Sequence, residues 1–194
     1  MEHNSIIAIG SSTGGPSALH KILHQIDEKI QTPIFIVQHL PRRFTQFLAN
    51  RLDENIKMNV KEAEHQEIVK KATIYIAPGD YHMKIKEGNG QLKIELSKEK
   101  HDLGHRPSVN MMLHSIAELK NIKKTIVILT GMGKDGAEGI NNIKNHDENV
   151  VVIAESSETT VVNGMPAAAI ATNHVTEIVR LENIATAVIK YNER

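Results

Sequence analysis

Ile6-Ile7-Ala8-Ile9-Gly10-Ser11-Ser12-Thr13-Gly14-Gly15-Pro16 is the stretch on which the fold turns. Four apolar residues in a row suit a strand covered on both faces, as in a parallel sheet. The glycines permit a sharp reversal, and Pro16 stands where the first turn of a helix accepts proline. A strand, a tight turn and a helix in that order open a βα unit.

The same pattern recurs outward from there. Ile34–Val37, Ile74–Ala77, Ile126–Leu129 and Val150–Ile153 are further apolar runs of strand length. Helical spacing follows most of them. Pro16–Ile26 is the first such segment. In Phe44–Leu52, the residues Phe44, Phe47, Leu48 and Leu52 form an apolar stripe. In Pro107–Leu119, Val109, Met112, Leu113, Ile116 and Leu119 do the same. Asp135–Ile143, Ala167–Ala171 and Glu182–Lys190 complete the helical candidates. Alternating strands and helices predict an α/β fold, doubly wound, with a mainly parallel sheet and helices on both faces. One stretch departs from the alternation. Tyr81–Lys86, Gly88-Asn89-Gly90 and Gln91–Leu96 read as an antiparallel hairpin at one edge of the sheet, turned by Asn-Gly.

The 194 residues fit one domain spanning 1–194. With 23 Lys and Arg against 23 Asp and Glu, nothing in the charge points to a nucleic-acid partner or a membrane surface. There is no cysteine, which excludes a disulfide framework and a thiolate nucleophile. The opening residues lack a basic segment, and Ile6–Ile9 is too short for a signal peptide or a membrane span, so a cytoplasmic protein is expected.

Binding residues in open α/β sheets gather beyond the carboxyl ends of the strands. Three loops at that location carry reactive groups. Gly10-Ser11-Ser12-Thr13-Gly14 matches G-x-S-x-G, a strand-to-helix elbow that lifts a serine hydroxyl clear of the backbone. Taken alone, the segment serves equally as a phosphate-binding turn or a simple helix cap. The dinucleotide pattern G-x-G-x-x-G and the P-loop lysine are absent. Gln38-His39-Leu40-Pro41 follows Ile34–Val37 and offers His39 as a base for Ser12. Among eleven histidines, His39 is the one that ends a buried strand at the expected edge. Leu129-Thr130-Gly131-Met132-Gly133-Lys134-Asp135-Gly136 places Asp135 at the cap of the next helix. There it can also orient His39. His101 and His105 are four apart, but Gly104 and Pro107 argue against a helix that would turn both to a metal, so no metal site is expected. Arg42-Arg43 could meet an acidic partner surface, but a solvated loop is the simpler reading.

These segments resemble the catalytic domain of the bacterial chemotaxis protein-glutamate methylesterases, the CheB family. The likeness runs nearly end to end through six ordered blocks: Ile9–Pro16, Gln38–Pro41, Ala77–Met83, His105–Val109, Leu129–Gly136 and Asn163–Pro166. It implies a catalytic triad of Ser12, His39 and Asp135, with the amides of Thr13 and Met132 forming the oxyanion hole. His105 and Arg106 are candidate cleft residues, and Met165 reads as cleft or core packing. The implied reaction is hydrolysis of γ-glutamyl methyl esters on the cytoplasmic helices of methylated chemoreceptors, through an acyl-enzyme, with deamidation of selected glutamines as a companion activity. No cofactor or metal is implied. Typical members carry an N-terminal phosphoacceptor receiver domain, for which this chain leaves no room before its first strand, so it reads as either a stand-alone form or a fragment. After Met165-Pro166 the chain reads Ala167-Ala168-Ala169, where a charged residue is common in the family.

Overall fold

The computed structural model describes residues 3–26 and 30–192. Among these, nine strands and six helices follow one another: β1 (Ser5–Ser11), α1 (Gly15–Leu23), β2 (Ile34–Gln38), α2 (Arg42–Asp53), β3 (Asn59–Glu62), β4 (Thr73–Ile76), β5 (His82–Gly88), β6 (Gln91–Ser97), α3 (Val109–Ala117), β7 (Lys123–Ile128), α4 (Ala137–His146), β8 (Val151–Glu155), α5 (Gly164–Ile170), β9 (Glu177–Val179) and α6 (Ile184–Asn192). A 3-10 turn, Leu181–Asn183, leads into α6.

Seven strands form one sheet in the order β3-β4-β2-β1-β7-β8-β9. Every pairing in it is parallel. The apolar runs are continuous because each strand is buried on both faces. Successive side chains then divide between two cores with period two. Ile6 and Ala8 of β1 join one core, with Phe35, Ile126 and Val152. Ile7 and Ile9 join the other, with Ile34, Ile36 and Val127. Helices α3, α4 and α5 close the first core through Met112, Ile140 and Ala169. Helices α1, α2 and α6 close the second through Leu19, Leu52 and Val188. This is the doubly wound α/β architecture expected from the sequence.

The hairpin β5–β6 forms in the expected residues, with Gly88 opposite Gln91. It is a separate two-stranded sheet and does not extend the ladder of the edge strand β3. It is tied to that side of the molecule by the chain between β3 and β4. Gln66 N–H donates to Ile94 O at 2.7 Å, and Val69 N–H donates to Leu92 O at 2.9 Å. Its apolar face, with Ile85 and Ile94, packs into the core that α3 closes. Ser115 Oγ of α3 also accepts from Ile85 N–H at 2.9 Å.

Two strands escape the sequence reading. β3 and β9 are short edge strands, and their half-exposed residues lack the apolar runs that betray buried strands. The stripe on α2 also needs correction. Leu48 and Leu52 are buried as expected, but Phe44 and Phe47 are 59% and 64% exposed. Helical spacing puts the four on neighbouring faces, and α2 turns only the Leu48–Leu52 side to the sheet.

Candidate active site

Strand β1 lies between β2 and β7, so the loops that leave these three strands emerge side by side. Ser12 follows the last residue of β1, His39 the last residue of β2, and Leu129–Gly136 the last residue of β7. The sheet order reverses here, which is where open α/β folds leave a crevice.

The serine elbow is braced from both sides. Ser12 N–H donates to Thr130 O at 3.0 Å, and Gly15 N–H donates to Ser12 O at 2.8 Å. Gly14 takes a φ of 85°, which an L side chain rarely adopts, and caps α1. Buried Gln38 works from the neighbouring strand end. It accepts from Ser11 Oγ at 2.7 Å and donates to Ser12 O at 2.9 Å. Glycine at position 15 leaves room for this side chain, since a Cβ there would lie 1.8 Å from Gln38 Oε1 and force it to shift.

The His39 backbone N–H donates to Ser11 O at 3.1 Å, which ties the start of its loop to the end of β1. Its Nε2 donates to Asp135 Oδ2 at 2.8 Å. The ring lies flat on His105, with centroids 3.8 Å apart and planes within 6°. Its other nitrogen, Nδ1, is buried without a hydrogen-bond partner among the described residues. Because Nε2–H serves the carboxylate, the neutral ring carries its bare lone pair on Nδ1.

Asp135 does not cap the helix that follows it. Gly136 does so, with a φ of 101°. The carboxylate instead caps α3, across the loop. Oδ2 accepts from Val109 N–H at 2.7 Å, and Oδ1 accepts from Asn110 N–H at 2.9 Å. Ser108 Oγ lies 3.0 Å from Oδ1 and 2.7 Å from Asp102 Oδ2. Burial alone would push this carboxyl up. The hydrogen bonds from His39 and from the Asn110 and Val109 amides outweigh it, so Asp135 is held below the ordinary aspartate value. The positive end of α3 acts in the same direction. Asn110 then ties α3 to α4, its Oδ1 accepting from the N–H groups of Gly136 and Gly139 at 2.9 Å each.

Among the described residues, the N–H groups of Thr13 and Met132 have no intramolecular hydrogen-bond partner. Thr130 holds both of their loops. Its Oγ1 donates to Thr13 O at 2.9 Å and accepts from Val162 N–H at 3.0 Å. Its own N–H donates to Glu155 Oε2 at 2.8 Å. Burial pushes the Glu155 carboxyl up, although Thr130 and Thr159 both donate to it.

Ser12 and His39 share an open cleft of about 400 Å³ with Leu40, Pro41, His105 and Arg106. No hydrogen bond joins Ser12 to His39, whereas His39 and Asp135 are joined directly. Burial, then the neighbouring His39, lower the His105 pKa. Arg106 spends Nη1 on the carbonyls of Lys98 and Glu99, at 3.1 and 3.0 Å. Met165, read as cleft or core, is core: it is 1% exposed and fills the space left open by Gly131, whose added Cβ would meet its Sδ at 2.4 Å. Gln38, Ser108, Asn110, Thr130 and Glu155 support the site without having been picked out as site residues. Each is a polar residue near an element end, and only its burial sets it apart.

The fold and this cluster define a doubly wound α/β protein that gathers a serine, a histidine–aspartate pair and unpaired amides at the sheet's switch point. More particularly, the chain belongs to the CheB methylesterase family, whose family model matches residues 7–188. It is 43% identical over 186 residues to a protein-glutamate methylesterase/protein-glutamine glutaminase of Oceanobacillus iheyensis, a match covering 96% of this chain and 53% of that protein. A protein of the same name from Halalkalibacterium halodurans is 44% identical over 190 residues, covering 98% and 54%. The chain therefore spans about half the length of these relatives. The crystal structure of the Thermotoga maritima CheB methylesterase catalytic domain superposes with a TM-score of 0.92 at 41% identity, covering 96% of this chain and 98% of that one.

Proposed function

We propose that this chain is a single catalytic domain that hydrolyses γ-glutamyl methyl esters on proteins, releasing methanol, and deamidates selected protein glutamines, releasing ammonia. The observation that carries the reading is the His39 ring: its Nε2 is committed to Asp135, its Nδ1 is buried and unpartnered among the described residues, and Ser12 lines the same cleft. In this reading Nδ1 takes the Ser12 proton as Oγ attacks the ester carbonyl. In this reading the hydroxyl comes within reach of Nδ1 in the substrate complex, where catalytic hydrogen bonds commonly tighten. The tetrahedral oxyanion lies against the Thr13 and Met132 amides, which add no titrating group. Methanol leaves with the proton from Nδ1. Water then attacks the acyl-enzyme with Nδ1 again accepting a proton, and free glutamate and Ser12 are restored. Asp135 stays ionised and stabilises the imidazolium.

The substrates we assign are methylated cytoplasmic helices of chemoreceptors, and the place of action is the cytoplasm. The names of the relatives and the family support the chemistry. Among the described residues, no helix is long and apolar enough to cross a membrane. His105 braces one face of His39 in this reading, and Arg106 shapes the cleft wall.

Methanol release from a methylated receptor fragment by Ser12→Ala tests the assignment. The variant is expected to lose turnover and labelling by a fluorophosphonate, while wild type shows both. Turnover undiminished in Ser12→Ala would refute it.

A further inference from the structure

We propose that the groove between α1 and α2 docks an amphipathic helix of the substrate protein, apolar on one face and acidic along its flanks. The proposal rests on the esterase reading and names how its protein substrate is held. Only three phenylalanines occur in the chain, and two of them, Phe44 and Phe47, stand exposed on α2. With Pro16 of α1 and Leu40 they line a groove of about 540 Å³. Two exposed aromatic rings one turn apart are poor occupants of a water-facing helix, and they fit a partner's apolar side chains spaced at three and four residues.

Charge selects the partner. Lys21 and Arg51 line the groove, and among the described residues no aspartate or glutamate does. Among the described residues, neither cation forms a salt bridge, although Lys21 lies near enough to Glu155 and Glu182 to favour both carboxylates. The chain as a whole is neutral, so this local excess of positive charge is positional. A helix with carboxylates beside its apolar stripe would satisfy both features.

Continuity selects the role. Leu40 lines both this groove and the cleft that holds Ser12 and His39. The groove and the cleft therefore meet at Leu40, and in this proposal a helix seated on Phe44 and Phe47 presents one side chain toward Ser12. In this proposal the groove positions the protein while the cleft handles only the ester, so a small ester needs none of the groove.

Two double variants of the full chain test this: Phe44→Ser with Phe47→Ser, and Lys21→Glu with Arg51→Glu. Each is assayed on a methyl-esterified receptor cytoplasmic fragment and on p-nitrophenyl acetate. The expected result is a rise in KM for the fragment of about tenfold or more, as for loss of central interface anchors, with p-nitrophenyl acetate turnover unchanged. The charge pair should also flatten the salt dependence of KM. Unchanged KM for the fragment in both variants overturns the proposal. If the phenylalanine pair loses both activities together, the charge pair, which alters only exposed positions, decides. Sedimentation of wild type separates the other occupant: a dimer that the phenylalanine pair dissociates, with KM unmoved, assigns the groove to a second copy and overturns the proposal. Binding of the fragment to Ser12→Ala, followed by anisotropy, reads the groove without turnover. Failure of the esterase reading therefore shows as absent hydrolysis in wild type, and failure of the groove as binding that the variants leave intact.

Discussion

At the residue scale, Asp135 does two things with one carboxylate. It receives His39 through Oδ2 and it receives the first amides of α3 through both oxygens. An amide in its place must turn an NH₂ toward at least one of those donors. Asp135→Asn is therefore expected to lower kcat by about 10⁴-fold, as when an equivalent carboxylate is replaced and the histidine tautomer is lost. It should also lower unfolding free energy by about 1–3 kcal/mol, because a buried donor is left unpaired. Turnover and urea unfolding on the same preparation check both. Loss of turnover with full stability would show that Asp135 serves the histidine and not the helix. Sequence spacing was enough to single out this residue, since it stands in a glycine-rich loop after a buried strand. The helix it caps was not legible there, because α3 lies 26 residues away and reaches the loop only after packing.

At the scale of elements, Asn110 joins the start of α3 to the start of α4. Its Oδ1 is the acceptor for two buried amides, those of Gly136 and Gly139. Asn110→Ala should cost about 2–4 kcal/mol, the sum expected for two orphaned donors. It should also loosen the Asp135 loop, seen as faster amide exchange at Gly136 and Gly139. Exchange unchanged at both would remove Asn110 from the bridge. The serine elbow has a similar dependence on β2. A methyl at Gly15 would strike Gln38 Oε1, the group that receives Ser11. Gly15→Ala is expected to slow fluorophosphonate labelling of Ser12 while the sheet still folds, which circular dichroism would register. These braces are polar residues inside apolar stretches, and such residues look ordinary until neighbouring elements bury them. The α2 stripe failed for the converse reason. Apolar spacing marks a face, but which part of that face meets the sheet depends on how the helix is docked.

For the whole molecule, acid should be destabilising, and the contributing groups can be told apart. Burial and the nearby His39 depress His105, and burial also depresses His82. Both take up protons less readily in the folded chain than in the unfolded chain, where they titrate near the ordinary histidine value of about 6.5. The stability they contribute is present above that value and is lost as pH falls toward their folded-state values. Asp135 has the same sign in a lower window, beginning near the ordinary aspartate value of about 3.9. Glu155 has the opposite sign, since burial raises it and its ionisation above about 4.3 costs stability. Wild type is expected to lose stability between pH 7 and pH 5. His105→Phe, which keeps a ring against His39 but cannot titrate, should flatten that loss without abolishing it, because His82 remains. Urea midpoints across the range give the comparison, and identical slopes for the two proteins would exclude His105 from the effect.

By itself the amino-acid sequence determined the strands with two buried faces, the parallel sheet they require, and the three loops that offer Ser12, His39 and Asp135 at strand ends. Those are local properties, since periodicity, glycine turns and residue chemistry act within a few positions of one another. Only the tertiary structure decided that Asp135 caps α3, that the hairpin forms a sheet of its own, that Met165 is core and that Phe44 and Phe47 face water. Each of these depends on which distant elements become neighbours. Partners brought together by packing supply hydrogen bonds and burial that no local pattern encodes.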